Sequence, residues 1–467
     1  MFSRGVGNAV RIEFVHRRHF LASVLPLATA AQAPRRPNIV LILADDLGSG
    51  DLKHRGAEID TPHLDRLARE GTIFEQAYVF PVCSPTRSGL MTGRSPMRLG
   101  VMYHVIRPWL DAGVPLQEHF ISQTFRAAGY QTAVTGKWHL GHARRAFWPN
   151  QRGFDHAYGH VNGAIDYYTH ERDGGLDWNR NGRSVREEGY STDLIAAEAS
   201  RWIGQRNKSR PFFLYVPFNA PHSPLQAPPE LLKKYAGIQN EKRRTFAAMT
   251  ERMDAGVGRI LAALDEENLT GDTIVLFLSD NGGPLGLGAS NGARRDGKGS
   301  VYEGGLTSPA ILRCPGKIAA GGVTRQVFTA LDIFPTLAAA AGVKPKNSLP
   351  FDGRNLWTEL ITRRIAPRED LFFAVESGKT LQHAVRSGDW KLVRHIGAGG
   401  QARNELYRLD EDPAEAHDVA AAQPKVVAEL AAKIDAWRKL YPAGGVRAAS
   451  AAPKGFKAPA EWTSLAK

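Results

Sequence analysis

Short apolar runs, each followed directly by polar residues and glycine or proline, recur along the first three quarters of the chain. Four of these runs predict strands, over residues 38–43, 131–134, 211–216 and 273–278. Between them, apolar residues spaced near 3.6 predict helices over residues 62–70, 117–128, 192–205 and 244–267. This alternation predicts an α/β fold with a large, mostly parallel sheet flanked by helices, because continuously apolar strands suit a sheet that is covered on both faces.

The pattern changes near residue 345. Residues 371–375, 382–386 and 389–395 resemble short strands of a small antiparallel sheet, and residues 424–440 show the spacing of one amphipathic helix. We therefore predict a main α/β domain over residues 34–345 and a C-terminal subdomain over residues 346–467. The tail from residue 442 is rich in Ala, Pro, Gly and Lys and is expected to lie on the surface or to fray.

Residues 1–33 have the features of an export signal. Arginines precede a short apolar run, and Ala31-Gln32-Ala33 resembles a cleavage site. The double arginine in Arg17-Arg18-His19-Phe20-Leu21 resembles the twin-arginine signal that carries folded proteins across a bacterial inner membrane. The alternative is a disordered extension with an accidental double arginine. We expect a periplasmic or secreted protein without a transmembrane anchor, since the apolar run is too short to span a bilayer.

The composition excludes several classes of protein. The chain has 467 residues, of which 43% are hydrophobic and 23% charged, which excludes intrinsic disorder, collagen and a polytopic membrane protein. The net charge is +13, and +10 remains without residues 1–33, so the basic balance belongs to the folded body and favours anionic partners. No nucleic-acid motif accompanies Lys242-Arg243-Arg244, so we expect no nucleic-acid partner. Two cysteines exclude a disulfide scaffold, and Cys314 is expected to be a structural thiol.

Acidic and amide side chains follow two of the predicted strands. Asp45 and Asp46 come directly after the first strand, and Asp280 and Asn281 follow the fourth. Ligands of open α/β sheets bind beyond the carboxyl ends of the strands. Oxygen donors of this kind suit Ca²⁺ or Mg²⁺ better than zinc, although protonation of one carboxylate would also relieve the repulsion between them. These four residues therefore form a candidate divalent-cation site.

Cys83 begins the most specific segment of the chain, Cys-Ser-Pro-Thr-Arg-Ser-Gly-Leu-Met-Thr-Gly. Pro85 suits an early helix position, and Arg87 follows one turn after the cysteine. A helix N-terminus beside a guanidinium attracts anions and would activate a nucleophile at Cys83. The alternative interpretation of a lone cysteine is a small buried hydrophobe.

The Cys-x-Pro-x-Arg segment resembles the signature of the type I sulfatases, formylglycine-dependent enzymes of the alkaline phosphatase superfamily. Other family motifs are matched in the family order, by Asp45-Asp46-Leu47-Gly48, Gly136-Lys137-Trp138-His139-Leu140-Gly141, Ala220-Pro221-His222, Asp280-Asn281-Gly282-Gly283, and Lys298 before Glu303-Gly304-Gly305. The resemblance covers about residues 36–440. Within the family, Arg152-Gly153-Phe154-Asp155 and Asp166-Tyr167-Tyr168 resemble the arylsulfatase B, or N-acetylgalactosamine 4-sulfatase, type most.

The resemblance implies that Cys83 is oxidised to formylglycine by a formylglycine-generating or sulfatase-maturating enzyme. A hydroxyl of the hydrated aldehyde would attack sulfur and form a covalent sulfate ester. Asp280 would accept the proton of that hydroxyl, and Arg87 would hold the diol in place. The cation would be Ca²⁺, with Mg²⁺ as the alternative. Its implied ligands are Asp45, Asp46, Cys83, Asp280 and Asn281.

The resemblance also assigns roles to two lysines and two histidines. Lys137, Lys298 and His222 would neutralise the sulfate oxygens, and His222 or Lys298 would protonate the leaving alcohol. His139 would deprotonate the second hydroxyl, which expels sulfate and restores the aldehyde. His104 and residues 160–170 are placed near the substrate only by analogy with the family.

The implied substrate is a sulfated carbohydrate or a glycosaminoglycan-like polymer. Two alternatives are a phosphonate monoester or phosphodiester hydrolase with the same fold, and a non-catalytic binder of sulfated glycans. A nucleotide site at residues 292–299 is rejected, because the Gly-x4-Gly-Lys pattern lacks the Ser or Thr that follows it in a P-loop.

Overall fold

The computed structural model describes residues 1, 5–13, 36–346, 349–378, 380–446 and 451–464. Residues 36–467 form one compact unit and residues 1–35 another. Residues 5–13 contain no helix or strand, and the rest of the predicted export signal, including its double arginine, lies outside the described residues. Within the described part of the chain, no helix is both long and apolar enough to span a membrane.

The strands of the described residues are β1 (Asn38–Ala44), β2 (Thr72–Phe74), β3 (Ala77–Tyr78), β4 (Gln131–Lys137), β5 (His156–His160), β6 (Glu171–Arg172), β7 (Gly175–Leu176), β8 (Asn179–Arg180), β9 (Arg183–Ser184), β10 (Phe212–Pro217), β11 (Thr273–Ser279), β12 (Ala310–Arg313), β13 (Gly322–Thr324), β14 (Phe328–Thr329), β15 (Leu371–Ser377), β16 (Thr380–Ser387), β17 (Trp390–Ile396) and β18 (Ala402–Arg408). The α-helices are α1 (Pro62–Glu70), α2 (Cys83–Thr92), α3 (Ile121–Ala127), α4 (Ser191–Gln205), α5 (Pro229–Lys234), α6 (Glu241–Glu266), α7 (Glu303–Leu306), α8 (Ile333–Ala340), α9 (Trp357–Thr362) and α10 (Pro424–Arg438).

Ten strands form the main sheet, in the order β13-β2-β12-β11-β1-β10-β4-β5-β8-β9. The five central strands, from β11 to β5, run parallel to one another. Antiparallel pairs flank them on both sides, between β11 and β12 and between β5 and β8. The four strands predicted from sequence are β1, β4, β10 and β11, so the predicted α/β fold with a mostly parallel sheet is confirmed.

Both faces of the main sheet are covered by helices. Ile39, Leu41 and Leu43 of β1 belong to one core together with residues of α2, α3 and α8. The residues that alternate with them belong to a second core, with residues of α1, α4 and α6. Since successive side chains of a strand point to opposite faces, a strand buried on both faces must be apolar throughout, as the β1 sequence is.

The predicted helices are present, with shifted ends. Helix α3 begins at Ile121, four residues later than predicted, and α6 begins at Glu241, three residues earlier. The start of α6 is fixed by Asn240, whose side chain accepts a hydrogen bond from the backbone N–H of Arg243 at 3.0 Å.

The C-terminal region forms a four-stranded antiparallel sheet in the order β15-β16-β17-β18. Val385 and Leu392 on one face pack with Leu430 of α10. Phe373 on the other face packs against Tyr78 and Phe80, which precede α2. The predicted small antiparallel sheet and helix are confirmed, although strand β18 was not predicted. The domain boundary at residues 345 and 346 remains a prediction.

The described part of the tail packs on the rest of the unit. The Trp462 side chain is buried, and its Nε1–H donates to the Arg172 carbonyl at 3.0 Å. The backbone N–H of Leu176 donates to the Ala460 carbonyl at 2.9 Å. The tail is expected either to lie on the surface or to fray, and residues 451–464 lie on the surface of the unit.

Asp254 of α6 caps a neighbouring helix. Its carboxylate accepts hydrogen bonds from the backbone N–H groups of His63 at 3.1 Å and Leu64 at 2.7 Å, in the first turn of α1. We expect Asp254→Ala to lower the free energy of unfolding by about 1–2 kcal/mol, because both N–H groups lose their acceptor. Urea unfolding measures the change. The control Asp272→Ala removes an exposed carboxylate and should change stability by about 0.5 kcal/mol or less; equal effects of the two substitutions would contradict the capping role.

Candidate active site

The carboxyl ends of four neighbouring strands converge on one site. Asp45 and Asp46 follow β1, Asp280 follows β11, Lys137 ends β4, and His222 lies in the loop after β10. The side chains of the three aspartates and of Lys137 are almost completely buried. Parallel strands present their carboxyl ends at one edge of a sheet, so this grouping follows from the topology.

Each buried carboxylate has a cationic partner. Lys137 Nζ lies 2.5 Å from Asp45 Oδ2, and Arg87 Nε donates to Asp280 Oδ2 at 2.9 Å. Lys298 Nζ lies 2.7 Å from Asp46 Oδ1. Charges so deeply buried persist only when they are paired and hydrogen-bonded, so the three pairs hold the strand ends and the segment around Lys298 together.

The surroundings push the pKa values of two adjacent aspartates apart. Burial, followed by the negative charge of Asp280, raises the pKa of Asp45 to about 7. Burial acts in the same direction on Asp46, but Lys298 and His222 outweigh it and hold the pKa of Asp46 below its usual range. Asp46 is therefore the more firmly ionised of the two.

Cys83 is the first residue of α2, and its side chain is 1% exposed. Its Sγ lies 3.5 Å from Asp45 Oδ1. Burial and the nearby carboxylate of Asp280 raise the pKa of the Cys83 thiol to about 12. The predicted activation of the unmodified thiol by Arg87 is therefore wrong: the guanidinium pairs with Asp280 instead, and a neutral buried thiol is a poor nucleophile.

The residues at the strand ends fit a divalent cation. One ligand atom each from Asp45, Asp46, Cys83 and His222 lies within 4.8 Å of the others. Asn281 Nδ2 donates to Asp46 Oδ1 at 2.7 Å, while Asn281 Oδ1 is buried and has no hydrogen-bond partner among the described residues. Buried carboxylates and an unsatisfied amide oxygen are the donors that Ca²⁺ and Mg²⁺ prefer.

Asp280 adjoins the same group of donor atoms. Its Oδ1 accepts a hydrogen bond from the backbone N–H of Asp46 at 3.3 Å, and its Oδ2 is held by Arg87. The structure thus brings together all five residues predicted as metal ligands. It adds His222, which was predicted only as a catalytic residue.

The two histidines are held as neutral rings by their surroundings. Burial, followed by the charges of Lys137 and Arg87, moves the pKa of His139 well below its ordinary value. Burial and Lys298 lower the pKa of His222 to about 3. Each ring has one nitrogen beside a backbone carbonyl: His139 Nε2 is 3.1 Å from Ile106 O, and His222 Nδ1 is 2.6 Å from Ser223 O.

Unusual backbone conformations aim two of these side chains. Asp46 has φ of 72° and His139 has φ of 59°, in the left-handed region that costs a residue with a Cβ roughly 1 kcal/mol or more. Gly163 packs against the His139 ring, where an added Cβ would lie 2.5 Å from Nε2. Both residues follow strand ends, so the strain turns their side chains towards the site.

A cavity of about 210 Å³ opens at this position, and we call it the catalytic cavity. Cys83, His139, His222 and Lys298 line it, whereas Arg87 and Lys137 lie behind it and are fully buried. His104, Gly163 and Ala164 also line it, in agreement with the placement expected from the family.

Three further lining residues were not predicted from sequence: Arg107, Arg172 and Glu376. Glu376 comes from β15 of the C-terminal sheet, and its Oε2 lies 2.8 Å from His104 Nε2. Arg172 lies in β6, next to the docked tail. None of the three belongs to a motif, so only the packing of the chain places them at the cavity.

Comparisons with known proteins agree with this geometry. Mouse N-acetylgalactosamine-6-sulfatase is 36% identical over 388 residues, which cover 78% of this chain and 72% of the relative. Human arylsulfatase A is 34% identical, with 87% of this chain and 89% of the relative covered. Mouse arylsulfatase J is 30% identical, with 86% and 76% covered. These subtype names differ, so they support the family and do not select the predicted arylsulfatase B type.

Solved structures show the same fold. The crystal structure of Ps i-CgsB in complex with k-i-k-neocarrahexaose has a TM-score of 0.82 and 34% identity, with 87% of this chain and 94% of that chain covered. Phosphonate monoester hydrolase of Agrobacterium radiobacter has a TM-score of 0.64 at 22% identity, with 87% and 96% covered, which is a likeness of fold alone.

Two family models match the chain. The model described as N-sulphoglucosamine sulphohydrolase, C-terminal, matches residues 296–439. The model described as sulfatase matches residues 37–343, a range that contains every strand-end residue of the site. This chain belongs to the sulfatase family, the enzymes that hydrolyse sulfate esters.

Proposed function

We propose that this protein hydrolyses sulfate esters of sulfated carbohydrates, by means of a formylglycine made from Cys83 and a bound divalent cation. The observation that carries the proposal is the convergence of Cys83, His139, His222 and Lys298 on one cavity above the strand-end carboxylates. The relatives include N-acetylgalactosamine-6-sulfatase, and a structural neighbour at 34% identity binds a neocarrahexaose. The first name favours a sulfated sugar as substrate, and the second favours a carbohydrate.

Conversion of Cys83 to formylglycine would give the site a nucleophile, which the protonated thiol does not provide. With its pKa raised to about 12, the thiol of Cys83 stays protonated at neutral pH. Formylglycine, when hydrated, would supply a hydroxyl nucleophile at this position. A formylglycine-generating or sulfatase-maturating enzyme is the partner that this proposal requires.

The strand-end residues would hold the cation. The proposed ligands are Asp45, Asp46, Asp280, Asn281 and the modified Cys83, and the cation is Ca²⁺ or Mg²⁺. When bound, it would supply positive charge next to the sulfate oxygens and the nucleophile.

Hydrogen bonds determine which ring nitrogen of His139 and of His222 carries a hydrogen. Because His139 Nε2 must carry its hydrogen to donate to Ile106 O, Nδ1 has a free lone pair and can act as a base. By the same reasoning, His222 Nδ1–H donates to Ser223 O, and Nε2 is left as an acceptor. Of the two candidate acids for the leaving alcohol, Lys298 is therefore the one that carries a proton here.

The lysines and arginines around the catalytic cavity would bind the substrate and orient neighbouring side chains. Lys298 Nζ can donate hydrogen bonds to sulfate oxygens within the catalytic cavity, and Lys137 adds positive charge from behind it. Arg87 fixes Asp280 and also donates to the Lys137 carbonyl at 3.0 Å, so it positions both strand ends. Arg107 and Arg172 at the cavity wall would contact the sugar or a second anionic group on it.

We also propose export to the periplasm or the medium. Support for this location comes from the twin-arginine-like segment and the apolar run that follows it, both read from sequence.

Substitution of Cys83 tests the mechanism. We expect Cys83→Ala to lower kcat by about 10³-fold or more, because the nucleophile is lost. Cys314→Ala removes the other cysteine, which lines no part of the catalytic cavity, and should keep turnover within about twofold. Turnover of an aryl sulfate measures both. Full activity of Cys83→Ala would refute the mechanism, and an inactive wild type that still binds sulfated glycans would favour the non-catalytic binder.

The mass of the tryptic peptide 70–87 tests the conversion directly. In active enzyme we expect the Cys83 side chain CH₂SH to be replaced by CHO, so one sulfur and two hydrogens are lost and one oxygen is gained. An intact thiol in every molecule of an active preparation would overturn the formylglycine proposal.

Removal of the cation should abolish activity reversibly. We expect EDTA to inactivate the enzyme, because it removes the cation whose positive charge the strand-end carboxylates would hold next to the substrate. Added Ca²⁺ or Mg²⁺ should restore turnover, and the metal that restores it at the lower concentration is the preferred one. Enzyme that is shown by elemental analysis to be free of metal and is still active would contradict the metal site.

Relative turnover separates the two hydrolase candidates. We expect an aryl sulfate to be cleaved faster than the matching aryl phosphonate monoester, because the family models and relatives are sulfatases. Comparison of kcat/KM for the two compounds measures the preference. A strong preference for the phosphonate would replace the sulfatase assignment with the phosphonate monoester hydrolase.

A further inference from the structure

A second large cavity lies apart from the catalytic one. It has a volume of about 570 Å³ and shares no lining residue with the catalytic cavity. Four arginines line it, Arg55, Arg294, Arg325 and Arg386, and we call it the arginine cavity. Its volume falls within the range of ligand pockets, roughly 300–1,000 Å³.

Arg55 and Arg294 have no carboxylate partner among the described residues. Arg55 Nη2 donates only to the Phe74 carbonyl at 3.3 Å, and its Nε is buried without a hydrogen-bond partner. Arg294 Nη2 donates to the Glu75 carbonyl at 3.0 Å. Backbone carbonyls orient these two guanidinium groups, and the carboxylate whose charge acts on Arg55 is that of Glu75.

Three of the four acidic residues that line the arginine cavity form ion pairs. Glu75 pairs with Arg325 at 3.0 Å, and Asp410 pairs with Arg408 at 3.2 Å. Glu303 pairs with Lys391 at 2.8 Å. Asp389 is the remaining carboxylate among the described lining residues, and it is exposed to solvent.

Arg386 also lines the arginine cavity. It is 8% exposed, and its Nη1 donates to the Tyr78 hydroxyl at 2.6 Å. That hydroxyl in turn donates to Glu303 Oε2 at 2.7 Å, and the charges of Arg386 and Glu303 also attract each other. Four arginines and four carboxylates line the cavity, so the surplus of positive charge is local. It lies near Glu75, whose single carboxylate pairs with Arg325 and also acts on Arg55, next to Arg294.

This surplus is costly without a ligand. Burial, followed by the neighbouring charge of Arg294, lowers the pKa of Arg55 to about 10, although the carboxylate of Glu75 acts in the opposite direction. Like charges that are partly removed from water repel each other, and an anion between them would relieve the repulsion.

A neighbouring cavity of about 490 Å³ offers an internal comparison. Its lining cations are all paired, in Arg98–Asp352 at 3.0 Å, Arg368–Asp332 at 2.8 Å and Lys433–Asp370 at 3.1 Å. The arginine cavity thus differs from this neighbour, in which every lining cation has a carboxylate partner.

We propose that the arginine cavity is a second anion-binding site, which takes a sulfate group between Arg55 and Arg294. The planar guanidinium fork matches two oxygens of a tetrahedral oxyanion, and several such bonds can form at once. The choice of sulfate as the anion rests on the proposed function, whereas the anion site itself rests on the unpaired arginines. The group can come from free inorganic sulfate, the product of hydrolysis, or from a sulfated carbohydrate chain.

Selenate, an anomalous scatterer with the shape and charge of sulfate, tests the site in crystals of the full chain. We expect an anomalous peak within hydrogen-bond distance of Arg55 and Arg294 in the wild type, separate from any peak beside Cys83. The double variant Arg55→Gln/Arg294→Gln should lose that peak, and calorimetry should show weaker anion binding by about tenfold or more.

A matched double variant controls for total charge. Arg259→Gln/Arg364→Gln removes two exposed arginines that line neither cavity and should keep the peak. Wild-type crystals with no peak in the arginine cavity, at a selenate concentration that fills the catalytic cavity, would overturn the proposal. Retention of the peak in the Arg55→Gln/Arg294→Gln variant would also overturn it.

Two measurements identify the source of the sulfate group and separate this proposal from the proposed function. A sulfated oligosaccharide that displaces selenate from the arginine cavity, where its desulfated counterpart does not, would identify a carbohydrate sulfate as the ligand. Selenate binding without displacement would identify the free anion. Turnover of an aryl sulfate by the Arg55→Gln/Arg294→Gln variant should stay within about twofold of wild type, so loss of the peak and loss of the proposed activity are independent results.

Discussion

The burial of charge at the carboxyl edge of the main sheet constrains the rest of this structure. Three carboxylates from two adjacent strands lie almost fully out of water, and the free-energy cost of that burial is met by Arg87, Lys137 and Lys298. Those cations come from a helix, from a third strand and from a distant loop. The pairing therefore ties together segments that are far apart in sequence.

The C-terminal sheet belongs to the same arrangement. Lys391 of β17 is fully buried and lies 2.8 Å from both Glu303 and Glu415. Glu303 begins α7, five residues after Lys298, so this contact holds the segment that carries Lys298. The sheet also brings Glu376 to the wall of the catalytic cavity. The cavity is thus built by both the main sheet and the smaller one.

Sequence reasoning found the central strands and the strand-end residues because each of them carries a local signal. Apolar runs such as β1 report burial on two faces, and Asp45 and Asp46 interrupt such a run abruptly. It failed for the Cys83 thiol, where the helix N-terminus and Arg87 were expected to lower the pKa. Burial and Asp280 dominate instead, and neither is visible in the segment itself. Strand β18 and the docking of Trp462 were missed, because partners distant in sequence stabilise them.

The sequence by itself determined the α/β class, the sulfatase resemblance and the candidate chemistry, because motif residues and hydrophobic periodicity are local properties of the chain. Only the tertiary structure decided which cation pairs with which carboxylate, which nitrogen of His139 is free, and which residues wall the catalytic cavity. It also decided that Arg55 and Arg294 lie near each other without an ion pair to a carboxylate, although more than two hundred positions separate them. Distances and burial set these electrostatic energies, and both arise only when the chain has folded.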